Sequence, residues 1–164
     1  MCLAIIARQV HAQWPLVIAA NRDEFHARPT RAAGIWEDAP QVLAGRDLMA
    51  GGTWLGLSQA GRIALLTNFR EPGKQNPAAP SRGALVSDYL CGPLQAQAYA
   101  ASLAQRACDF NGFNLLLIDP DQALYLTNRR TPATEALVAG VQGVSNATLG
   151  VPWPKLVRTQ QAVG

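Results

Sequence analysis

The sequence predicts an α+β fold of mainly antiparallel strands with its helices gathered in the middle of the chain. Three observations carry this reading. Apolar, β-branched runs dominate the first 68 residues and return from residue 113 onward. An Ala- and Gln-rich stretch with helical character lies between them. No internal repeat or linker divides the chain, so strands, helices and strands again imply helices layered on stacked sheets within one domain, residues 1–164. At 164 residues the chain can bury roughly two thirds of its unfolded surface around a single core.

The first element is a hairpin. Leu3-Ala4-Ile5-Ile6-Ala7 and Leu16-Val17-Ile18-Ala19-Ala20 read as paired strands buried on both faces, separated by a polar segment ending in Pro15. The second strand runs into Asn21-Arg22-Asp23-Glu24. An antiparallel return of this length sets Arg22 and Asp23 beside Cys2. A sulfur, a cation and a carboxylate at the end of a buried hairpin have the makings of a site. If Met1 is removed, Cys2 carries its own base, because an α-amine titrates near ~7.7–8.0 and a thiol near ~8.5. Arg22 would favour the thiolate and Asp23 would hold the ammonium. The alternative is that Cys2 is simply a small buried apolar residue at a strand start.

Residues 25–41 read as loop, broken by Pro29, Gly34 and Pro40. His26 falls here, either lining the site or standing as a surface histidine. Val42-Leu43-Ala44-Gly45-Arg46-Asp47 is a short strand leading to Gly51-Gly52, a pair that lets backbone pass close to a ligand or to the Cys2 strand. Trp54 reads as core. Residues 53–58 and 62–68 form a second hairpin around Gln59-Ala60-Gly61, with Gly61 in a left-handed turn position. Asn68 ends it, as a loop cap or as an amide donor for a site.

Arg70 to Arg82 is a Pro- and Gly-rich loop whose Arg70, Lys74 and Arg82 suit an anion pocket, or are merely solvated. Ser81 is the N-cap for a helix over Gly83–Leu90. After Gly92-Pro93 a second helix is expected to run to about Ala107, with Leu94, Ala98, Ala101 and Ala104 or Gln105 along one side. Cys91 and Cys108 read as structural thiols. Strands follow at Phe113–Ile118, Ala123–Thr127 and Glu135–Val138, and Gly143-Val144-Ser145-Asn146 reads as a further strand end. Trp153 to Val163 reads as a helix.

Composition narrows the function. The net charge of +3 comes from dispersed arginines with no basic run, which disfavours nucleic-acid and membrane-surface partners. No stretch approaches the ~18 apolar residues of a membrane span, so stable membrane insertion is not expected. Arg8, Gln9 and His11 interrupt the first apolar run, unlike a secretion signal. Three cysteines without metal spacing leave an odd thiol, which fits a reducing cytoplasm.

Several blocks resemble one family. Met1-Cys2, Ala20-Asn21-Arg22-Asp23-Glu24-Phe25, Arg28-Pro29, Gly51-Gly52-Thr53-Trp54-Leu55-Gly56 and Leu66-Thr67-Asn68-Phe69 are similar to the NRDE proteins, also called the transport and Golgi organisation 2 family. So are Ser81-Arg82-Gly83, Asn111-Gly112-Phe113-Asn114-Leu115, Gly143-Val144-Ser145-Asn146-Ala147 and Pro152-Trp153-Pro154-Lys155-Leu156. That family in turn resembles the cysteine branch of the N-terminal-nucleophile (Ntn) hydrolases, the bile-salt hydrolases and penicillin V acylases.

The resemblance implies a four-layer αββα sandwich, incomplete here at its C-terminal side, where family members continue through strands that carry a further arginine. Exposed sheet edges and a homo-oligomer are the corresponding expectation. It implies a cysteine amidohydrolase acting on a small amide or acyl compound, with Cys2 as nucleophile, Arg22 and Asp23 orienting, and Asn68 and Asn146 stabilising the oxyanion. Asn21, Glu24, His26, Arg70 and Arg82 are the candidate ligand contacts. No cofactor is required on that reading. The alternative it implies is a non-catalytic carrier of haem, acyl-CoA or lipid, or a structural partner protein with a vestigial site. A haem would need an axial ligand, and the chain's histidines, His11 and His26, lie in no haem motif.

Overall fold

The computed structural model describes residues 2–131, 133–152, 154 and 156–158. Strands β1 (Leu3–Arg8) and β2 (Leu16–Asn21) form the expected hairpin, with Leu3 opposite Asn21 and Arg8 opposite Leu16. A last strand, β10 (Gly140–Val144), pairs with the other side of β1, giving a three-stranded sheet of order β10-β1-β2. The remaining strands make a seven-stranded antiparallel meander: β3 (Thr30–Ile35), β4 (Val42–Asp47), β5 (Leu55–Ser58), β6 (Ile63–Asn68), β7 (Phe113–Ile118), β8 (Ala123–Thr127) and β9 (Thr134–Ala136). Helices α1 (Gly83–Cys91) and α2 (Ala96–Ala104) are inserted between β6 and β7.

Strand alternation divides the apolar residues between two cores. Ala64 and Leu66, Leu115 and Leu117, and Leu124 and Leu126 face the helices, where they meet Leu85, Tyr89, Tyr99 and Leu103. Leu65, Leu116 and Tyr125 face the small sheet and meet Ala4, Ile6 and Val144. The described residues therefore build an α+β structure in which helices, large sheet and small sheet are stacked. On the outer face of the small sheet residues 156–158 are helical, and Leu156, 1% exposed, covers Gly143. A Cβ on Gly143 would overlap the Leu156 side chain and crowd Ile5 at 3.1 Å, so only glycine admits this contact.

Several expectations need correction. Strand β2 is not buried on both faces: it is the edge of the small sheet, where only Leu16 and Ile18 pack inward and Val17 is 42% exposed. Residues 25–41 are not all loop, because β3 occupies Thr30–Ile35. As an outer edge strand it is largely exposed, and its register shifts between Arg31 and Gly34, so no hydrophobic alternation betrays it. Helix α2 buries Ala96, Tyr99, Ala100 and Leu103, not Leu94, Ala98, Ala101 and Ala104, because the large Tyr and Leu side chains set the inward stripe. It also ends at Ala104, and a 3₁₀ turn follows at Ala107–Asp109. Cys91 and Cys108 are exposed, hence not core thiols. Gly52 does let backbone pass closely, but its neighbour is the start of α1: a Cβ there would lie 2.5 Å from the Gly83 carbonyl carbon. The helix expected over 153–163 falls mostly outside the described residues.

Other expectations hold. Gly61 takes φ +73° in the β5–β6 turn. Ser81 Oγ accepts the Gly83 amide at 3.3 Å, as a cap would, although the N-cap position of α1 is taken by Arg82. Trp54 packs partly buried between the sheets.

Candidate functional site

The hairpin register brings the end of β2 back to the start of β1, and there a cavity of about 800 Å³ opens. Its floor is the part of the large sheet that the small sheet leaves uncovered, with Leu43, Leu55 and Leu57 facing it. Cys2, Arg22, Asp23, Glu24, Asn68 and Arg82 stand on its wall. Six of the ten residues singled out from the sequence thus share one cavity. The other four do not line it. Asn21 stands behind, donating from Nδ2 to Asp23 Oδ1 at 2.8 Å. His26 and Arg70 are exposed away from the wall. Asn146 also lies behind it, donating from Nδ2 to the Asn68 carbonyl at 2.7 Å, while its own carbonyl accepts the Arg70 amide at 2.8 Å.

The Cys2 side of the cavity is held from beneath by a hydrogen-bonded seam between the sheets. Ser145 Oγ donates to the Cys2 carbonyl at 2.7 Å, and Thr67 Oγ1 donates to the Ser145 carbonyl at 2.6 Å. Asn114 Nδ2 reaches Thr67 Oγ1 at 3.1 Å and the Ala147 carbonyl at 2.9 Å. The Tyr125 hydroxyl donates to Asn114 Oδ1 at 2.6 Å and accepts the Leu149 amide at 3.2 Å. All four side chains are at least 96% buried, so their partners are needed to offset desolvation. The sequence reading missed this seam. Its signal is Asn114 inside the otherwise apolar Phe-Asn-Leu-Leu-Leu-Ile strand, since a buried amide must find partners.

The part of the wall that follows β2 is ionic. Arg22 pairs with Glu24 at 2.8 Å, and Arg28 Nε and Nη2 reach Asp47 Oδ2 at 2.8 and 2.6 Å. Asp47 Oδ1 also accepts the Met49 amide, at 3.0 Å. Burial pushes the Asp47 carboxyl up, but the Arg28 guanidinium and the loop amides override it and hold the group below the usual carboxylate range. Burial pushes the Cys2 thiol up; Arg22 and Arg82 pull it back only in part. Arg82 donates from Nη1 to the Gly112 carbonyl at 2.9 Å. Its guanidinium is held below its ordinary value, first by burial and then by neighbouring Arg129. Asn111 zips the loop before α1 to the start of β7, exchanging hydrogen bonds of 2.8 and 2.9 Å with the Asn76 backbone.

Neither His11 nor His26 lies on the cavity wall, so Cys2 is the group there that could serve as an axial haem ligand. Among the described residues no helix is long and apolar enough to cross a membrane.

Comparison with known proteins gives the family of the chain. Residues 1–164 match the family described as transport and Golgi organisation 2. A mouse protein named "Transport and Golgi organization 2 homolog" is 40% identical over 149 residues, 86% of this chain and 54% of the relative. The human homologue is 38% identical with the same coverage. The Drosophila melanogaster protein is 30% identical over 73% of this chain and 46% of its own length. The chain spans about half the length of the curated relatives it matches. By the match along its whole length and by these identities, the chain belongs to the transport and Golgi organisation 2 family.

Proposed function

We propose that the cavity is the active site of an amidohydrolase of the Ntn type, with Cys2 as its nucleophile. The observation that carries this reading is the convergence of the Cys2 thiol, Arg22, Asp23 and Asn68 on one wall. In the first step Cys2 Sγ bonds to the carbonyl carbon of a small amide. The thiol proton passes to the Cys2 amine, freed by loss of Met1, and from there to the departing amine as the C–N bond breaks. Water then attacks the thioester, forming the acid and restoring the thiol. Asn68 donates to the oxyanion, and Asn146 braces Asn68 through its carbonyl. Arg22 and Asp23 orient the nucleophile and its amine. The stacked antiparallel sheets, with α1 and α2 on one side and helical residues 156–158 on the other, support the reading of an αββα sandwich, and the free thiols suit a reducing compartment such as the cytoplasm.

The test is intact mass before and after limited iodoacetamide at neutral pH. The expected result is loss of Met1 and alkylation of Cys2 ahead of Cys91 and Cys108. Retained Met1, or an inert Cys2 beside two labelled cysteines, overturns the mechanism.

One observation favours a second reading, a non-catalytic carrier. The Asn146 amide is engaged with the Asn68 carbonyl and does not face the cavity, which leaves an oxyanion with fewer donors. On that reading the apolar floor and cationic wall hold an acylated or haem-like ligand without turnover. Saturable binding of haem by the unmodified protein, or of an acyl-CoA by a Cys2-blocked protein, supports it; no binding of either removes it.

A further inference from the structure

The cavity wall carries arginines at positions 22, 28, 31, 46 and 82 against carboxylates at 23, 24 and 47. Most of these cations are answered within the protein. Arg22 pairs with Glu24, Arg28 with Asp47, Arg31 with Glu37 at 3.3 Å, and Arg46 with Asp38. Arg82 differs. Among the described residues it makes no ion pair, and its hydrogen bond runs from Nη1 to a backbone carbonyl. Its neighbour Arg129 is itself taken by Glu71, at 2.7 Å. A desolvated cation facing a cavity without a counter-ion is costly to keep, and an arriving anion relieves that cost.

Resting on the reading of Cys2 as the reactive group, we propose that Arg82 is the anion subsite of this cavity and that the substrate is a carboxylate-bearing amide or acyl compound. The guanidinium fork takes the carboxylate, and the scissile carbonyl lies at Cys2 on the same wall. A single guanidinium without an ion pair among the described residues matches a single negative charge, which favours a carboxylate over a more highly charged group. The apolar floor of Leu43, Leu55 and Leu57 accommodates the body of the molecule. Burial and Arg129 work against the charged form of Arg82 and outweigh the favourable pull of Cys2 and of Glu71, which is itself paired with Arg129, so an anion at Arg82 would be electrostatically favoured.

The experiment compares two alkylating reagents of equal size, anionic iodoacetate and neutral iodoacetamide, on the same protein. The exposed Cys91 and Cys108 are internal controls. The ratio of the two rates at Cys2 cancels the thiolate fraction and isolates the charge preference. We expect that ratio to exceed the control ratio by about tenfold, as one partly desolvated charge pair can supply. Arg82→Gln should return it to the control value, and Arg82→Lys should retain much of it. A labelled Cys2 with the control ratio, or an unchanged ratio in Arg82→Gln, overturns the subsite while leaving the nucleophile intact.

If neither reagent labels Cys2, the nucleophile reading fails, and the subsite is decided by thermal unfolding with succinate against its neutral diamide. Stabilisation by succinate that Arg82→Gln abolishes supports the anion site. Absent or equal shifts in wild type and variant overturn it.

Discussion

Two walls meet at Cys2, and they are built on opposite principles. Beneath it, Ser145, Thr67, Asn114 and Tyr125 form a neutral seam, buried on all sides, with hydrogen bonds closed from one sheet to the other. Beside it, Arg22, Glu24, Arg28 and Asp47 form a charged, partly exposed cluster on loop and strand ends. A buried neutral network fixes geometry because every alternative leaves a group unsatisfied. A solvated ionic cluster can exchange partners at small cost, because water and salt compete for each charge. The first wall therefore positions the residues on either side of the cavity mouth, and the second adapts to what enters.

Breaking the seam should have the largest effect. Asn114→Leu removes contacts to Thr67, Ser145, Ala147 and Tyr125 together, and should lower stability by about 3–4 kcal/mol in urea unfolding. Tyr125→Phe, which removes one hydroxyl, should cost about 1 kcal/mol. If both variants unfold like wild type, the seam is not what holds the sheets in register.

Asp47→Asn tests the ionic wall and should cost about 1–2 kcal/mol, since the carboxylate serves both Arg28 and a loop amide. The sign of its pH dependence follows from its depressed carboxyl. The stabilisation is complete above the unfolded value of ~3.9 and disappears as pH falls through the lower folded value. Wild type and variant should therefore converge in acid and separate at neutral pH. A gap that persists in strong acid would assign the effect to packing.

A smaller shift is expected at the junction of the two walls. In the chain that retains Met1, burial raises the Cys2 thiol, so its alkylation rate should climb with a midpoint above the ~8.5 of a free thiol, and loss of Met1 should bring that midpoint down. Arg22→Gln should move that midpoint further up, and no movement would show that Arg22 is screened from the sulfur. The smallest change is expected at Arg31→Ala, whose pair with Glu37 is more than half exposed on both sides. It should alter stability by no more than about 0.5 kcal/mol.

The same division explains what was legible in the sequence. The hairpin of β1 and β2 was visible because apolar runs and a polar break are local, and its register alone brings Arg22 and Asp23 to Cys2. Val42–Asp47 and the β5–β6 turn were visible for the same reason. Strand β3 was not, because an exposed edge strand of Thr, Arg, Ala and Gly carries no alternation. The inward face of α2 was misread because alanines fit either side of a helix, whereas Tyr99 and Leu103 do not. The seam was invisible for a different reason. Thr67, Asn114 and Ser145 are far apart in sequence, and each alone looks like a polar strand end. Only sheet stacking makes them one object. Arg82 could be nominated for an anion pocket, but its lack of a carboxylate partner is a property of three-dimensional neighbours.

Asp119 has a consequence for the order in which the chain acquires structure. The helix α2 begins after Gln95, which supplies no side-chain cap, and its Ala96 amide is instead bound by Asp119 Oδ2 at 2.7 Å. The same carboxylate closes the β7–β8 turn through the amides of Asp121 and Gln122. The start signal of this helix thus lies 23 residues downstream, in a hairpin that has not yet been synthesised when the helix emerges. A nine-residue helix is too short to persist alone. It should consolidate only as that hairpin closes, so that α2, β7 and β8 mature as one cooperative unit. In folding kinetics, substitutions at Asp119 and at Leu103 should share similar φ-values, although one lies in a turn and the other in a helix.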